Sequence, residues 1–261
     1  AGTAGDQQAA LFGQQCFEQG SVKNTYGTGC FMLMNTGNEP HSSKHGLVTT
    51  IAWGYKGEIT YALEGSVFVA GSAVQWLRDQ LKFFKTAKES EKLALSAKEE
   101  HELIVVPAFV GLGAPYWDND CKGAMFGITR GTSKEDMTKA TLDSIAYQNR
   151  DILDAMKEDS GIAIQSLRVD GGASANDYLM QFQSDIMQCA IERPESVEST
   201  ALGAAYLAGL AVGYWHDLEE LKKERNSHLF TPMMDVSDVS HLYKRWQKAV
   251  ACARMFTKNE E

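Results

Sequence analysis

Residues 167–177 read Leu-Arg-Val-Asp-Gly-Gly-Ala-Ser-Ala-Asn-Asp, and no other stretch constrains the fold as much. A short apolar run closes on Asp170, two glycines follow, and an amphipathic segment opens at Ser174 or Asn176. The order is strand, tight turn, helix. Adjacent glycines let the backbone approach a flat ligand more closely than any residue carrying a Cβ. A helix N-terminus just beyond them adds unpaired N–H groups and the positive end of a dipole. Such a junction suits a nucleotide, although an ordinary strand-to-helix turn is spelled the same way.

At 261 residues the chain has room for one large α/β domain or two small ones. A hydrophobic content of 44% with 23% charged residues is enough to bury a large core. The formal net charge is −9, and no Lys/Arg cluster interrupts it. A nucleic-acid surface and an anionic membrane are therefore poor expectations. An anionic small ligand has to be held by local N–H groups or a metal. Cys16, Cys30, Cys121, Cys189 and Cys252 are scattered and form no Cys-x-x-Cys pair. They read as free buried thiols of a reducing cytosol, hence a cytoplasmic protein. No apolar run reaches membrane-spanning length and no signal peptide is visible. The chain opens Ala-Gly-Thr-Ala-Gly-Asp without an initiator Met, and is expected to be part of something longer.

Taken in order, Asp6 precedes the helical segment Ala-Ala-Leu-Phe-Gly-Gln. It is either a helix cap or a carboxylate at the mouth of a site. Residues 23–35 form two β-favouring runs joined by Tyr26-Gly27-Thr28-Gly29. That is a hairpin signature whose amides and Thr28 hydroxyl also suit an anion. Strands continue over 47–55 and 58–66, giving a three-strand meander. Helical spacing predicts a helix over 69–84, with Gly71 and Gln75 near its start, and a solvated Lys/Glu-rich helix over 90–102. Residues 103–106 and 124–128 read as short strands, and the loop 111–118 between them as packing. Ser133 caps a long helix with a buried stripe of Met137, Leu142, Ile145, Ile152 and Met156, which Gly161 ends. A helix over 176–188, an edge strand at 190–193, a buried small-residue helix over 199–213 and amphipathic helices over 217–223 and 236–256 complete a single domain. Ligands of such mixed sheets collect at the carboxyl ends of strands. There Asp6, the Gly27–Gly29 turn, the Gly71 helix start and the Gly171-Gly172 turn can meet, as phosphoryl transfer requires.

Several long motifs then stand in one order: Gly-Asp-Gln-Gln-Ala-Ala-Leu-Phe-Gly-Gln, Asn-Thr-Tyr-Gly-Thr-Gly-Cys-Phe, Gly-Leu-Gly-Ala-Pro-Tyr-Trp-Asp, Val-Asp-Gly-Gly-Ala and Thr-Ala-Leu-Gly-Ala-Ala-Tyr-Leu-Ala-Gly. With residues 123–143, they resemble the C-terminal half of the FGGY carbohydrate kinases, most closely the members that act on glycerol. The resemblance spans residues 1–261 and implies a ribonuclease H-like, actin-like ATPase domain. Its expected form is a mixed five-stranded sheet with helices on both faces. It further implies ATP-dependent phosphorylation of glycerol, with Asp6 as catalytic base and Gln7 and Phe31 on the substrate. Thr28, Gly71, Gln75, Gly172 and Asn176 are implied nucleotide contacts. Mg2+ is implied as a cofactor, but no metal ligand is assigned to this chain, because the N-terminal domain that supplies most of them is absent. This half is therefore expected to be inactive alone, its partners being glycerol, ATP/ADP and the missing domain, with a homo-oligomer at full length. A family kinase for another polyol or sugar, and an actin-like ATP-driven conformational module, are the alternatives.

Overall fold

The computed structural model describes residues 2–98, 102–195, 198–222 and 226–257. The chain begins with α1 (Asp6–Gly13), β1 (Ser21–Tyr26), β2 (Cys30–Gly37), β3 (Val48–Tyr55) and β4 (Glu58–Val67). Then come α2 (Gly71–Asp79), α3 (Glu89–Leu95), β5 (Ile104–Val106), β6 (Ala124–Phe126) and α4 (Lys134–Ser160). The last part holds β7 (Ser166–Asp170), α5 (Asp177–Met187), β8 (Ile191–Pro194), α6 (Ser199–Ala211), β9 (Ser227–Phe230) and α7 (Val236–Thr257).

The main sheet runs β3-β4-β2-β1-β7-β8-β9. β1 pairs antiparallel with β2 and parallel with β7, so it joins the meander to the crossover half. The sheet has seven strands, not the expected five. Two elements account for the difference. The meander has four strands, since residues 21–37 form a pair, β1 and β2, to which β4 and then β3 add. β3, the more exposed of the two, is left on the edge, where half-apolar strands are tolerated. At the other end β9 pairs with β8, so residues 190–193 are not at the edge. Residues 227–230 are too short and too exposed to announce a strand in advance. β5 and β6 form a separate two-stranded ladder.

Because side chains alternate across a strand, the register sorts the two faces. Val22, Tyr26, Met32, Met34, Leu63 and Val169 face the large core beneath α4 and α5. Lys23 and Thr25 face the other way, aligned with Leu33 and Phe31 on β2 and with Arg168 and Asp170 on β7. That second face is covered by α1 and α6, with Leu11, Phe12, Leu33 and Trp53 in a smaller core. The sheet thus has helices on both faces, as expected.

α4 begins and ends where its letters indicate. Ser133 Oγ accepts the Asp136 N–H at 3.2 Å, and the Asp136 carboxylate accepts the Ser133 N–H at 2.9 Å, a reciprocal capping box. Gly161 closes the helix with φ 67°. α2 is shorter than expected, stopping before Lys82 takes a left-handed φ of 58°. Residues 99–101 and Lys223, parts of two expected helices, lie outside the described residues, and a 3-10 turn at Glu219–Leu221 stands where the second was expected. α6 is not the buried helix its apolar sequence suggests. Only Ser199, Gly203 and Gly209 are fully buried: Gly203 packs on α1 and Gly209 against Trp215, while Tyr206, Leu207 and Leu210 are partly buried against the smaller core and the opposite side is left open. Cys252 likewise is exposed, whereas Cys16, Cys30 and Cys121 are buried, and all five cysteines are free thiols.

Candidate active site

The carboxyl ends of β1 and β7 open into a cleft of ≈ 590 Å³. Thr28, Gly71, Gln75, Gly172 and Asn176, drawn from three separate stretches of sequence, all line it. Glycine has a different reason at each position. A Cβ on Gly171 would stand 2.4 Å from the Tyr26 carbonyl oxygen, and its φ of +86° already excludes most side chains. A Cβ on Gly29 would stand 2.1 Å from Val67 O. These two glycines are demanded by the fold. Gly172 is the opposite case, since a Cβ there would meet nothing within 4 Å. A Cβ on Gly27 would meet only Gly29 O, at an ordinary 3.7 Å. In each turn one glycine allows the backbone to close and its neighbour leaves open space over the cleft.

The start of α2 braces this arrangement. The N–H groups of Ala70 and Ser72 reach Thr28 O at 2.9 and 3.1 Å, and that of Gly71 reaches Gly27 O at 3.1 Å. The first amides of α2 therefore bind the hairpin, and donors for an anion have to come from the Gly27–Gly29 turn itself. Across the cleft, Asn176 caps α5, its Oδ1 accepting the Leu179 N–H at 2.9 Å, while Nδ2 lies 3.4 Å from Ser90 Oγ.

On the α1 face of the sheet, Asp6 is the first residue of its helix and exposed. It is not the helix cap; Gly5 holds that position. Asp6 Oδ1 accepts the Gln7 N–H at 2.8 Å, and Oδ2 lies 3.4 Å from Gln7 Nε2. Gln7 Oε1 in turn accepts a hydrogen bond from Lys23 Nζ, which also donates to Thr25 Oγ1 at 3.0 Å. Thr25 is the register partner of both Phe31 and Asp170. The three residues expected at the substrate are thus tied to one patch of sheet, one residue away from the turn at the nucleotide cleft.

Lys23 is wholly buried. Burial lowers its pKa to about 8, against the opposing pull of the Asp170, Glu64 and Asp6 carboxylates. Glu64 is pushed upward, first by its own burial. Among the described residues no group of three or more His, Cys, Asp or Glu could hold a metal ion.

The profile of the "FGGY family of carbohydrate kinases, C-terminal domain" matches residues 22–212. The chain belongs to the FGGY family. Among FGGY relatives, it is 63% identical to a glycerol kinase of Bacillus licheniformis over 98% of this chain and 52% of that protein. It is 59% identical to one of Enterococcus faecalis over 100% of this chain and 52% of the relative. The crystal structure of Plasmodium falciparum glycerol kinase with ADP superposes with a TM-score of 0.91 at 38% identity, covering all of this chain and 52% of that one. A kinase described as xyloylose kinase, from Brucella ovis, has the same fold, with a TM-score of 0.86 at 21% identity over 98% of this chain and 52% of its own. The chain spans about half the length of the curated relatives it matches.

Within this FGGY domain, sequence reasoning missed one side of the cleft. Residues 90–102 read as a solvated helix with no site signal, yet Lys88, Ser90 and Glu91 line the cleft, with Arg78 beside them. Their charges are what made the segment look solvated. Lys23 was missed for a related reason: a lysine in an alternating strand reads as a solvent-facing residue, and nothing local shows that α1 lies over it.

Proposed function

We propose that this chain supplies the C-terminal half of the active site of an enzyme that transfers the γ-phosphoryl group of ATP to glycerol, giving sn-glycerol 3-phosphate and ADP. One observation carries the reading. Gly27 and Gly172, neither required by the backbone around it, face a single cleft lined also by Thr28, Gly71, Gln75 and Asn176.

In this reading the adenosine lies against the Gly172 turn and Asn176, with the phosphates toward Thr28. Gln7 and Phe31 hold the polyol, Gln7 by hydrogen bonds and Phe31 by its half-exposed ring against the carbon skeleton. The terminal hydroxyl oxygen attacks phosphorus as its proton passes to an Asp6 carboxylate oxygen. The bond from phosphorus to the bridging β,γ-oxygen breaks, and the electron pair leaves with ADP. Among the described residues no group of three or more His, Cys, Asp or Glu could hold a metal ion, and this reading assigns most Mg2+ ligands to the remaining half of the longer protein. That half and a homo-oligomeric assembly belong to the same reading, as does a cytoplasmic setting. The cytoplasmic setting is supported by five free cysteines. Among the described residues no helix is long and apolar enough to cross a membrane.

The test is to assay the longer protein carrying this chain with ATP and glycerol, xylulose or gluconate in parallel, following ADP release and the mass of the product. Glycerol should be preferred by orders of magnitude in kcat/KM. A preference for either sugar would assign the domain to another FGGY specificity. ATP turnover indifferent to all three would point to an ATP-driven conformational module.

A further inference from the structure

Lys23 is a wholly buried lysine in the middle of a sheet, an expensive place for a cation, and its surroundings show what it holds. An ammonium has three donors and no acceptor. The Gln7 atom against it must therefore be the carboxamide oxygen, as observed. The Gln7 amide, which in most proteins can be turned either way, is here chemically oriented. Its Nε2 faces outward, one N–H toward Asp6 Oδ2 at 3.4 Å, and the other has no partner among the described residues. Thr25 Oγ1 takes a second donor of Lys23 at 3.0 Å and fixes the ammonium from its own strand.

We propose that Lys23 is a positioning residue for substrate specificity: by holding Gln7 Oε1 it turns the donor edge of the carboxamide toward the substrate. The site then selects a hydroxyl, whose oxygen can accept a hydrogen bond, and rejects a protonated amine at the same place. This rests on the glycerol reading above and adds a residue and a rule of selection to it.

The charged and titratable groups facing Lys23 are Asp6 from α1, Cys16 just beyond it, Glu64 from β4 and Asp170 from β7. Arg168, its register partner on β7, is directed elsewhere, to Glu192 at 3.1 Å and to Gln15 O at 2.8 Å. With burial lowering Lys23 to about 8, the orienting donor is mostly charged at neutral pH and loses its proton under mildly alkaline conditions. The carboxylates around it resist that loss.

The experiment uses the longer protein carrying this chain, as wild type, Lys23→Met and Lys23→Arg. Substrates are glycerol and its two amino analogues, 2-amino-1,3-propanediol and 3-amino-1,2-propanediol. Lys23→Met should raise KM for glycerol about tenfold or more while KM for ATP stays within about twofold. Its preference for glycerol over at least one amine should narrow by about tenfold, because the released carboxamide can present its oxygen. Lys23→Arg should keep that preference. The wild-type kcat/KM for glycerol should fall above a pH of about 8, and Lys23→Arg should move the fall upward. An unchanged preference in Lys23→Met overturns the proposal even if turnover drops. Should that variant not fold, the wild-type profile decides, and a flat kcat/KM from pH 7 to 10 overturns it. A wild type that does not phosphorylate glycerol removes the underlying reaction as well, a result distinct from an active wild type with an indifferent Lys23→Met.

Discussion

Gly203 and Ala9 approach so closely that a Cβ on Gly203 would stand 1.8 Å from the Ala9 carbonyl oxygen. The contact is reciprocal, since a Cβ on Gly13 would stand 1.9 Å from Ser199 O. This contact fixes how α1 crosses α6, and α1 is the helix that carries Asp6 and Gln7, the latter hydrogen-bonded to Lys23.

The first prediction follows from that contact. In Gly203→Ala the new methyl meets backbone rather than a flexible side chain, so α1 and α6 must move apart. Overpacking of this kind typically costs about 1–3 kcal/mol, and the displacement falls on Asp6 and Gln7. Glycerol turnover should drop by more than the lost stability explains, with KM for glycerol rising and ADP affinity preserved. Thermal unfolding with parallel steady-state kinetics on the longer protein checks this. A variant with a wild-type KM for glycerol would show that the crossing does not position the substrate residues.

The adjacent glycines of the β7–α5 junction should separate cleanly. Gly172→Ala adds a methyl that meets no protein atom, so stability should change by less than about 0.5 kcal/mol. The methyl enters the cleft, however, and ADP affinity should fall by about tenfold or more. Gly171→Ala should do the reverse at the level of folding, losing about 1–3 kcal/mol through its positive φ and its contact with Tyr26 O. Calorimetric titration with ADP, beside an unfolding curve for each variant, tests the pair. Equal nucleotide affinity in wild type and Gly172→Ala would mean the open space there is not the nucleotide's.

How much of this was legible in advance depends on where each determinant lies. α4 was readable from end to end, because its capping box, apolar period and closing glycine are all local. The two glycine turns were readable as turns, and their meeting in one cleft followed from strand order. The outer strands were not. Whether β3 or β4 docks beside β2 is decided by long-range packing, and a strand such as β9 has too few apolar residues to declare itself. α6 misled because apolar composition predicts burial only where a partner covers the helix, and here one side alone is covered, with Tyr206, Leu207 and Leu210 partly buried on the smaller core. Lys23 shows the deepest limit. Its burial is a property of α1 folding back over the sheet, which no window around Lys23 contains.

Asp6→Asn separates chemistry from binding. The substitution removes the proton acceptor but keeps an oxygen for the Gln7 N–H, now 2.8 Å away. General-base loss should lower kcat by about 10²–10⁴-fold with little change in ADP affinity or unfolding temperature. The full-length protein, assayed for glycerol-dependent ADP release, provides the measurement. Turnover within a fewfold of wild type would remove Asp6 from the proton transfer.

The last prediction concerns Asp151, far from the cleft, where folding itself should titrate. Its Oδ1 accepts the Tyr243 hydroxyl at 2.6 Å, and its Oδ2 accepts the Tyr116 hydroxyl and the Trp246 indole N–H, both at 2.9 Å. These donors favour the carboxylate, but burial opposes them more strongly and raises the pKa from 3.8 to about 6. The folded state therefore holds this proton at pH values where the unfolded chain has released it. The stability contributed by Asp151 is fully present below the ordinary carboxylate range and is lost as pH rises through 6. At 1.36 kcal/mol per unit, the loss between pH 4 and 7 is about 2 kcal/mol. Other carboxylates impose the opposite slope, so the quantity to measure is the difference between wild type and Asp151→Asn, whose amide does not ionise. Native-state hydrogen exchange of the α4 amides at several pH values reads it within the longer protein. Wild type should lose ground to the variant steadily as pH rises from 4 to 7. A difference that stays constant would mean the three donors outweigh burial and hold Asp151 ionised throughout.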